Sequence, residues 1–188
     1  MHVRIRGHVA LALALACVAP AHAGTIEDVE FAESVEVADT SLSLSGLALL
    51  RYRVLFKGYV AGLYLPSGTQ PVRALEDVPK RLELEYFWSI EGQAIAEAGD
   101  ELLRRNVDAG TFAALGDRLR QINALYEDVE PGDRYALSYA PGVGTELSKN
   151  GRALGVIPGA DFAKAYFSIW LGNAPLDESF RDQLFRGR

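Results

Sequence analysis

Leu50-Arg51-Tyr52-Arg53-Val54-Leu55-Phe56-Lys57-Gly58-Tyr59-Val60-Ala61-Gly62-Leu63-Tyr64-Leu65 is an apolar run interrupted by cations and closed by the turn residues Pro66-Ser67-Gly68. Short apolar bursts rich in Val, Leu, Phe and Tyr and bounded by Pro and Gly read as strand. If the strand is regular, side chains two apart share a face, so Arg51, Arg53, Lys57 and Tyr59 point the same way. Leu55, Ala61, Leu63 and Leu65 share that parity. A uniformly wet face would therefore expose a long apolar row unless a bulge or kink intervenes at Gly58. One reading is an ordinary solvated face. The other is a cationic group at the end of an apolar cleft, the arrangement an amphipathic anion requires.

Outward from this run the pattern stays strand-like toward the N-terminus, with bursts at Val35 and Val37, then Leu42 and Leu44. On the other side Leu82, Leu84, Tyr86 and Trp88 alternate with Arg81, Glu83, Glu85 and Phe87, a half-exposed antiparallel strand. The period then changes to about 3.6 between Glu91 and Val107, where Ile95, Ala98, Leu102 and Val107 form one stripe. A second helix follows Gly110 with Thr111 as its expected N-cap and Pro131-Gly132-Asp133 as its end. Arg134 to Ile157 returns to strands, and Asn150-Gly151 between Thr145–Lys149 and Arg152–Ile157 predicts a tight hairpin, because both central residues must accept positive φ. Asp161 to Leu171 carries Phe162, Ala165, Tyr166, Ile169 and Trp170 on a helical stripe that stops at Gly172. A short helix over Leu176 to Phe185 completes the chain. Strands, helices, a hairpin and helices again place the chain in the α+β class, an antiparallel sheet with helices on one face.

Residues 1–23 pair a basic start (Arg4, Arg6) with the apolar run Val9 to Val18 and Ala21-His22-Ala23, the pattern of a secretory signal with an A-x-A cleavage site. About ten apolar residues are too few to span a bilayer as a helix, so an integral membrane protein is not expected. The mature chain then begins at Gly24 as one domain, 24–188, in a periplasm. The whole chain of 188 residues carries a formal charge of −6, and removing Arg4 and Arg6 makes the mature charge −8. That balance argues against nucleic acid, which needs a cationic surplus. Cys17, the single cysteine, excludes a disulfide framework and lies in the signal.

The usual catalytic signatures are absent: no phosphate-binding Gly-rich loop, no G-x-S-x-G elbow, no H-E-x-x-H. His2, His8 and His22 all precede Gly24, so the mature chain has no imidazole for Ser-His chemistry or for a metal site. No cofactor or metal is expected. Glu83, Glu85, Asp100, Glu101, Glu127 and Asp128 read as solvated surface carboxylates.

Arg51 followed by Phe56-Lys57-Gly58-Tyr59-Val60-Ala61-Gly62-Leu63-Tyr64-Leu65 resembles the signature of bacterial chalcone-isomerase-like proteins. Val129-Glu130-Pro131-Gly132-Asp133, Tyr139-Ala140-Pro141-Gly142-Val143-Gly144-Thr145, Asn150-Gly151 and Phe167-Ser168-Ile169-Trp170-Leu171-Gly172 follow in the family's order. The resemblance implies an open-faced sandwich with a ligand cleft between sheet and helices. Plant enzymes of this fold cyclise a chalcone, using an arginine for the nucleophilic oxygen and threonine and tyrosine hydroxyls at the carbonyl. Here Tyr59 stands at the threonine position, and Gly92-Gln93-Ala94-Ile95 places Ile95 where the active enzymes have tyrosine. An isoleucine cannot hydrogen-bond a carbonyl or hold a water, which points away from isomerase activity. Other members of the fold bind fatty acids through the arginine and a tyrosine, which Arg51 and Tyr59 resemble. The expectation is a non-catalytic, monomeric periplasmic binder of a fatty acid or other apolar carboxylate. Its candidate ligand-binding residues are Arg51, Lys57, Tyr59 and Tyr64. Two alternatives are an isomerase of chalcone or another enone, and an envelope scaffold with no small ligand.

Overall fold

The computed structural model describes residues 22–52 and 56–187. Arg53 and all but the last two positions of the expected signal segment lie outside the described residues.

Strands β1 (His22–Ile26) and β2 (Val29–Ala32) form a two-stranded hairpin of their own. Strands β3 (Ser34–Val37), β4 (Thr40–Tyr52), β5 (Phe56–Leu65), β6 (Lys80–Tyr86), β7 (Arg134–Ala140), β8 (Gly144–Lys149) and β9 (Arg152–Ile157) make a seven-stranded antiparallel sheet in simple sequence order. Helices α1 (Gly92–Arg104), α2 (Ala109–Ala114) and α3 (Gly116–Asn123) are inserted between the neighbouring strands β6 and β7, while α4 (Ala160–Leu171) and α5 (Glu178–Phe185) follow β9. The α+β class and the helix-covered antiparallel sheet are as the sequence predicts.

The Asn150-Gly151 turn forms as expected, with φ of 51° and 79° joining β8 to β9. The second helical region differs from expectation. Asp108, not Thr111, is the N-cap: its carboxylate accepts the Thr111 backbone N–H at 2.9 Å and the Thr111 hydroxyl at 2.6 Å. An aspartate binds the third helical N–H as well as threonine does and adds its charge to the helix N-terminus. The helical stretch is also divided, because α2 stops before Leu115 and α3 restarts at Gly116.

The sheet has two covered faces. One packs on the helices through Leu63, Leu82, Leu137, Leu147, Phe162 and Phe167, all essentially buried. The other packs on the β1–β2 hairpin through Phe31, Leu42, Leu44, Val60 and Tyr64. Gly62 makes that second contact possible, since a Cβ there would lie 2.6 Å from the Phe31 ring. This second layer overturns the reading of Glu83 as a wet carboxylate. It is 5% exposed, accepts Arg81 Nε at 2.8 Å and lies 3.1 Å from Arg134 Nη1, because the hairpin shields the sheet face on which it lies. The polar half of an alternating strand reads the same whether it faces water or an ion network.

A tyrosine-lined candidate binding cavity

The bulge anticipated at Gly58 decides where the candidate residues point. Leu50 pairs with Tyr59 across β4 and β5, but the next pair is Arg51 with Lys57, so Gly58 is the extra residue. Paired side chains share a face, and the inserted residue reverses the alternation. Tyr59 therefore faces the helices, while Arg51 and Lys57 turn toward the hairpin. The regular-strand expectation that Arg51, Lys57 and Tyr59 share one face does not hold. Arg51 Nη2 lies 3.4 Å from Glu27 Oε1 and Lys57 Nζ 2.5 Å from Glu27 Oε2, with both cations about half exposed. The Lys57 hydrogen bond and ion pair, followed by Arg51's charge, hold the Glu27 carboxyl below its usual pKa. Tyr64 is buried in the hairpin-side cluster, where burial and the charge of Glu83 push its phenol up. Of the four expected site residues, the structure brings Arg51 and Lys57 together at Glu27, and places Tyr59 and Tyr64 on opposite faces of the sheet.

Tyr59 lines a cavity of about 340 Å³ between the sheet and helices α1 and α4, within the range of small-molecule pockets. Its walls come from four parts of the chain. Sheet residues Leu50, Tyr59, Leu84, Tyr86, Tyr135 and Leu147 form the floor. Helix α1 contributes Ala94, Ile95, Ala98, Gly99 and Leu102, with spacings of three and four that put them on one stripe. Helix α4 contributes Tyr166, Ile169 and Trp170, and the segment after α3 contributes Tyr126. Gly92 sets the approach of α1: a Cβ there would lie 2.7 Å from the Tyr126 carbonyl oxygen, and the Gly92 N–H is received by Asp128 Oδ1 at 2.9 Å.

The polar groups of the cavity are phenols and one indole. Trp170 Nε1 donates to the Tyr59 hydroxyl at 2.9 Å, and the Tyr126 and Tyr166 hydroxyls are 2.8 Å apart. Tyr135 donates to the Glu127 carbonyl at 2.8 Å and accepts the Glu127 N–H at 2.7 Å. Ring contacts lock these side chains: Tyr59 against Tyr86 and Phe180 at 5.4 and 5.5 Å, Tyr86 against Tyr135 at 6.2 Å, and Tyr126 against Tyr135 at 5.3 Å. Burial pushes the phenols of Tyr59, Tyr86, Tyr126 and Tyr166 above their ordinary range, so they stay protonated at physiological pH. Among the described residues, no carboxylate, ammonium or guanidinium lines the cavity.

An outer apolar groove of about 450 Å³ shares Leu50, Tyr59 and Ile90 with the cavity and adds Phe56, Lys57 and Trp88. Trp88 does not continue the β6 alternation, since the strand ends at Tyr86. It stands 55% exposed at the rim, with its indole N–H on the Lys57 carbonyl at 2.7 Å and its ring edge-on to Phe56.

Tyr86 lies on the alternation and Tyr166 and Trp170 on the helical stripe that the sequence shows, but neither these nor Tyr126 and Tyr135 are among the expected site residues. The available signal was the number of tyrosines on those stripes, since a buried phenol needs a partner that leucine would not. No helix among the described residues is long and apolar enough to cross a membrane, and no cluster of His, Cys, Asp or Glu there could hold a metal ion.

No curated protein sequence matches this one. Among solved structures, it resembles a fatty-acid binding protein of Arabidopsis thaliana with a TM-score of 0.65 at 14% identity, covering 84% of this chain and 92% of the other. At that identity the likeness establishes the shared fold. The sequence itself matches the chalcone isomerase-like family over residues 23–185, nearly its whole length, and the chain therefore belongs to that family.

Proposed function

We propose that the protein is a non-catalytic binder of an apolar molecule of the fatty-acid class, exported to a periplasm by its N-terminal segment and acting as a monomer. The observation that carries this reading is the apolar cavity between sheet and helices, which shares Leu50, Tyr59 and Ile90 with an outer groove and has no carboxylate, ammonium or guanidinium in its own lining among the described residues. Each methylene taken out of water contributes about 0.8 kcal/mol, so a medium-length acyl chain supplies most of the affinity without any charged contact. The fold shared with a plant fatty-acid binding protein supports the same class of cargo.

Catalysis of the isomerase type needs a group that takes a proton or stabilises a phenolate near neutral pH. The cavity phenols are pushed the wrong way for that, Ile95 offers no hydrogen bond, and Arg51 lies on the other face beside Glu27. The test is mass spectrometry of lipids extracted from the purified mature protein, with displacement of a fluorescent fatty-acid analogue. Recovery of no apolar ligand together with no binding of added fatty acids overturns the reading. In parallel, naringenin chalcone should close at its spontaneous rate in the presence of the protein; acceleration that disappears in Tyr59→Phe would restore the enzymatic alternative.

A further inference from the structure

A hydroxyl offers one proton and two lone pairs, which makes the phenols of the cavity countable. Tyr135 has both roles filled by the Glu127 backbone. Tyr59 receives the Trp170 N–H, which occupies a lone pair and leaves its proton free of any acceptor among the described residues. In the Tyr126–Tyr166 pair one proton is shared and the other is left over. Tyr86, 5% exposed and packed between the rings of Tyr59 and Tyr135, has no hydrogen-bond partner among the described residues. Three phenol protons without a protein acceptor among the described residues thus belong to side chains lining one apolar space that has no carboxylate in its walls. Buried polar groups in folded proteins are nearly always partnered by protein or water, so these protons are open to a water or to the oxygen of a ligand that displaces it.

The charge of that acceptor follows from what else lines the space. An ionised carboxylate moved into an apolar cavity needs a cation to offset its lost hydration. Among the described residues, Arg51 and Lys57, the cations nearest in sequence to Tyr59, have their charged groups on Glu27. A neutral carbonyl oxygen needs only donors, and donors are what the cavity holds.

Building on the fatty-acid-class reading above, we infer that the cavity takes its ligand polar end inward and that this end is an uncharged carbonyl, as in a ketone, an ester or a protonated acid, held by the hydroxyls of Tyr59, Tyr86 and the Tyr126–Tyr166 pair. The apolar tail then leads out past Leu50 and Ile90 into the groove at Phe56 and Trp88. The raised phenols fit this role, because a hydroxyl that keeps its proton remains a donor across the whole physiological range.

The experiment uses Trp170 as its reporter, in a Trp88→Phe background that removes the exposed indole at the rim. Its emission is titrated with 2-dodecanone, methyl undecanoate, dodecanoate at about pH 8 and dodecane, probes of similar length that differ in their polar end. The ketone and ester should bind roughly tenfold or more tighter than the alkane, and tighter than the ionised acid. Tyr86→Phe and Tyr59→Phe should each weaken the ketone about three- to tenfold and leave the alkane within about twofold. Ionised dodecanoate binding tightest, a ketone no better than the alkane, or phenylalanine variants that bind the ketone unchanged would each overturn the inference while leaving an apolar-ligand binder intact. Failure of all four probes would instead overturn the underlying reading and this inference with it.

Discussion

Gly99 sits in the interior of α1 with no backbone requirement for glycine, facing the cavity. A Cβ built there meets only the Tyr166 hydroxyl within 4 Å, at 3.6 Å, an ordinary van der Waals distance. Gly99→Ala therefore separates stability from binding. Alanine is favoured over glycine in a helix interior by about 0.8–1 kcal/mol, and nothing in the contact distance offsets that gain. For a domain of this size the gain corresponds to a rise in Tm of roughly 2–4 °C. The same methyl group occupies space a ligand would fill, at about 0.8 kcal/mol per methylene excluded, or roughly a fourfold loss of affinity. Thermal melts followed by circular dichroism give the first quantity and Trp170 titrations with 2-dodecanone the second. The signature is a more stable protein that binds less well. A fall in Tm would mean that the added methyl clashes with the Tyr166 hydroxyl, and a rise in Tm with unchanged affinity would mean that ligand does not reach α1.

Lys80 is 1% exposed, donates to the Glu76 carbonyl at 3.0 Å and lies 4.3 Å from the centre of the Tyr139 ring; burial lowers its pKa to about 8. The unfolded chain holds that proton more tightly, so the cost to folding is full below about pH 8, shrinks as pH rises from there and is gone near the unfolded value of about 10.4. Lys80→Met should be more stable than the native chain at neutral pH by about 2 kcal/mol, once the lost cation–π contact is set against the relieved burial. Urea denaturation across that pH range should show the advantage vanish by about pH 10.4, and a less stable variant at pH 7 would contradict the argument. Glu83→Ala leaves Arg81 and Arg134 facing each other across a half-buried layer, although Ser138 and Glu85 still hold them. The expected loss is about 2–3 kcal/mol by urea denaturation, near the lower end for a broken buried pair, and a loss below about 0.5 would show the network to be solvated. Gly46→Ala would place a methyl 2.1 Å from the Leu184 carbonyl, so α5 must lift from β4; a destabilisation of about 1–3 kcal/mol with increased proteolysis of the C-terminal helix is expected. An unchanged cleavage pattern would show that α5 does not rest there.

Much of the secondary structure was legible in the sequence because the signals are local. The alternation of Leu82, Leu84 and Tyr86, the Asn150-Gly151 pair and the Phe162-Tyr166-Trp170 stripe each depend on backbone geometry within a few residues. From those signals came the α+β class, the antiparallel sheet, and even the bulge at Gly58 as a condition. Tertiary structure decided which face each strand presents, because a single inserted residue reverses the alternation and no local signal says on which side the insertion falls. That reversal puts Tyr59 in the cavity and Arg51 with Lys57 on Glu27. It also decided the environment of Glu83, since covering by a distant hairpin is a contact between segments that share no pattern. The cavity belongs to the same category: its tyrosines come from β5, β6, β7, α4 and the segment after α3, residues far apart in sequence that only packing brings within one space.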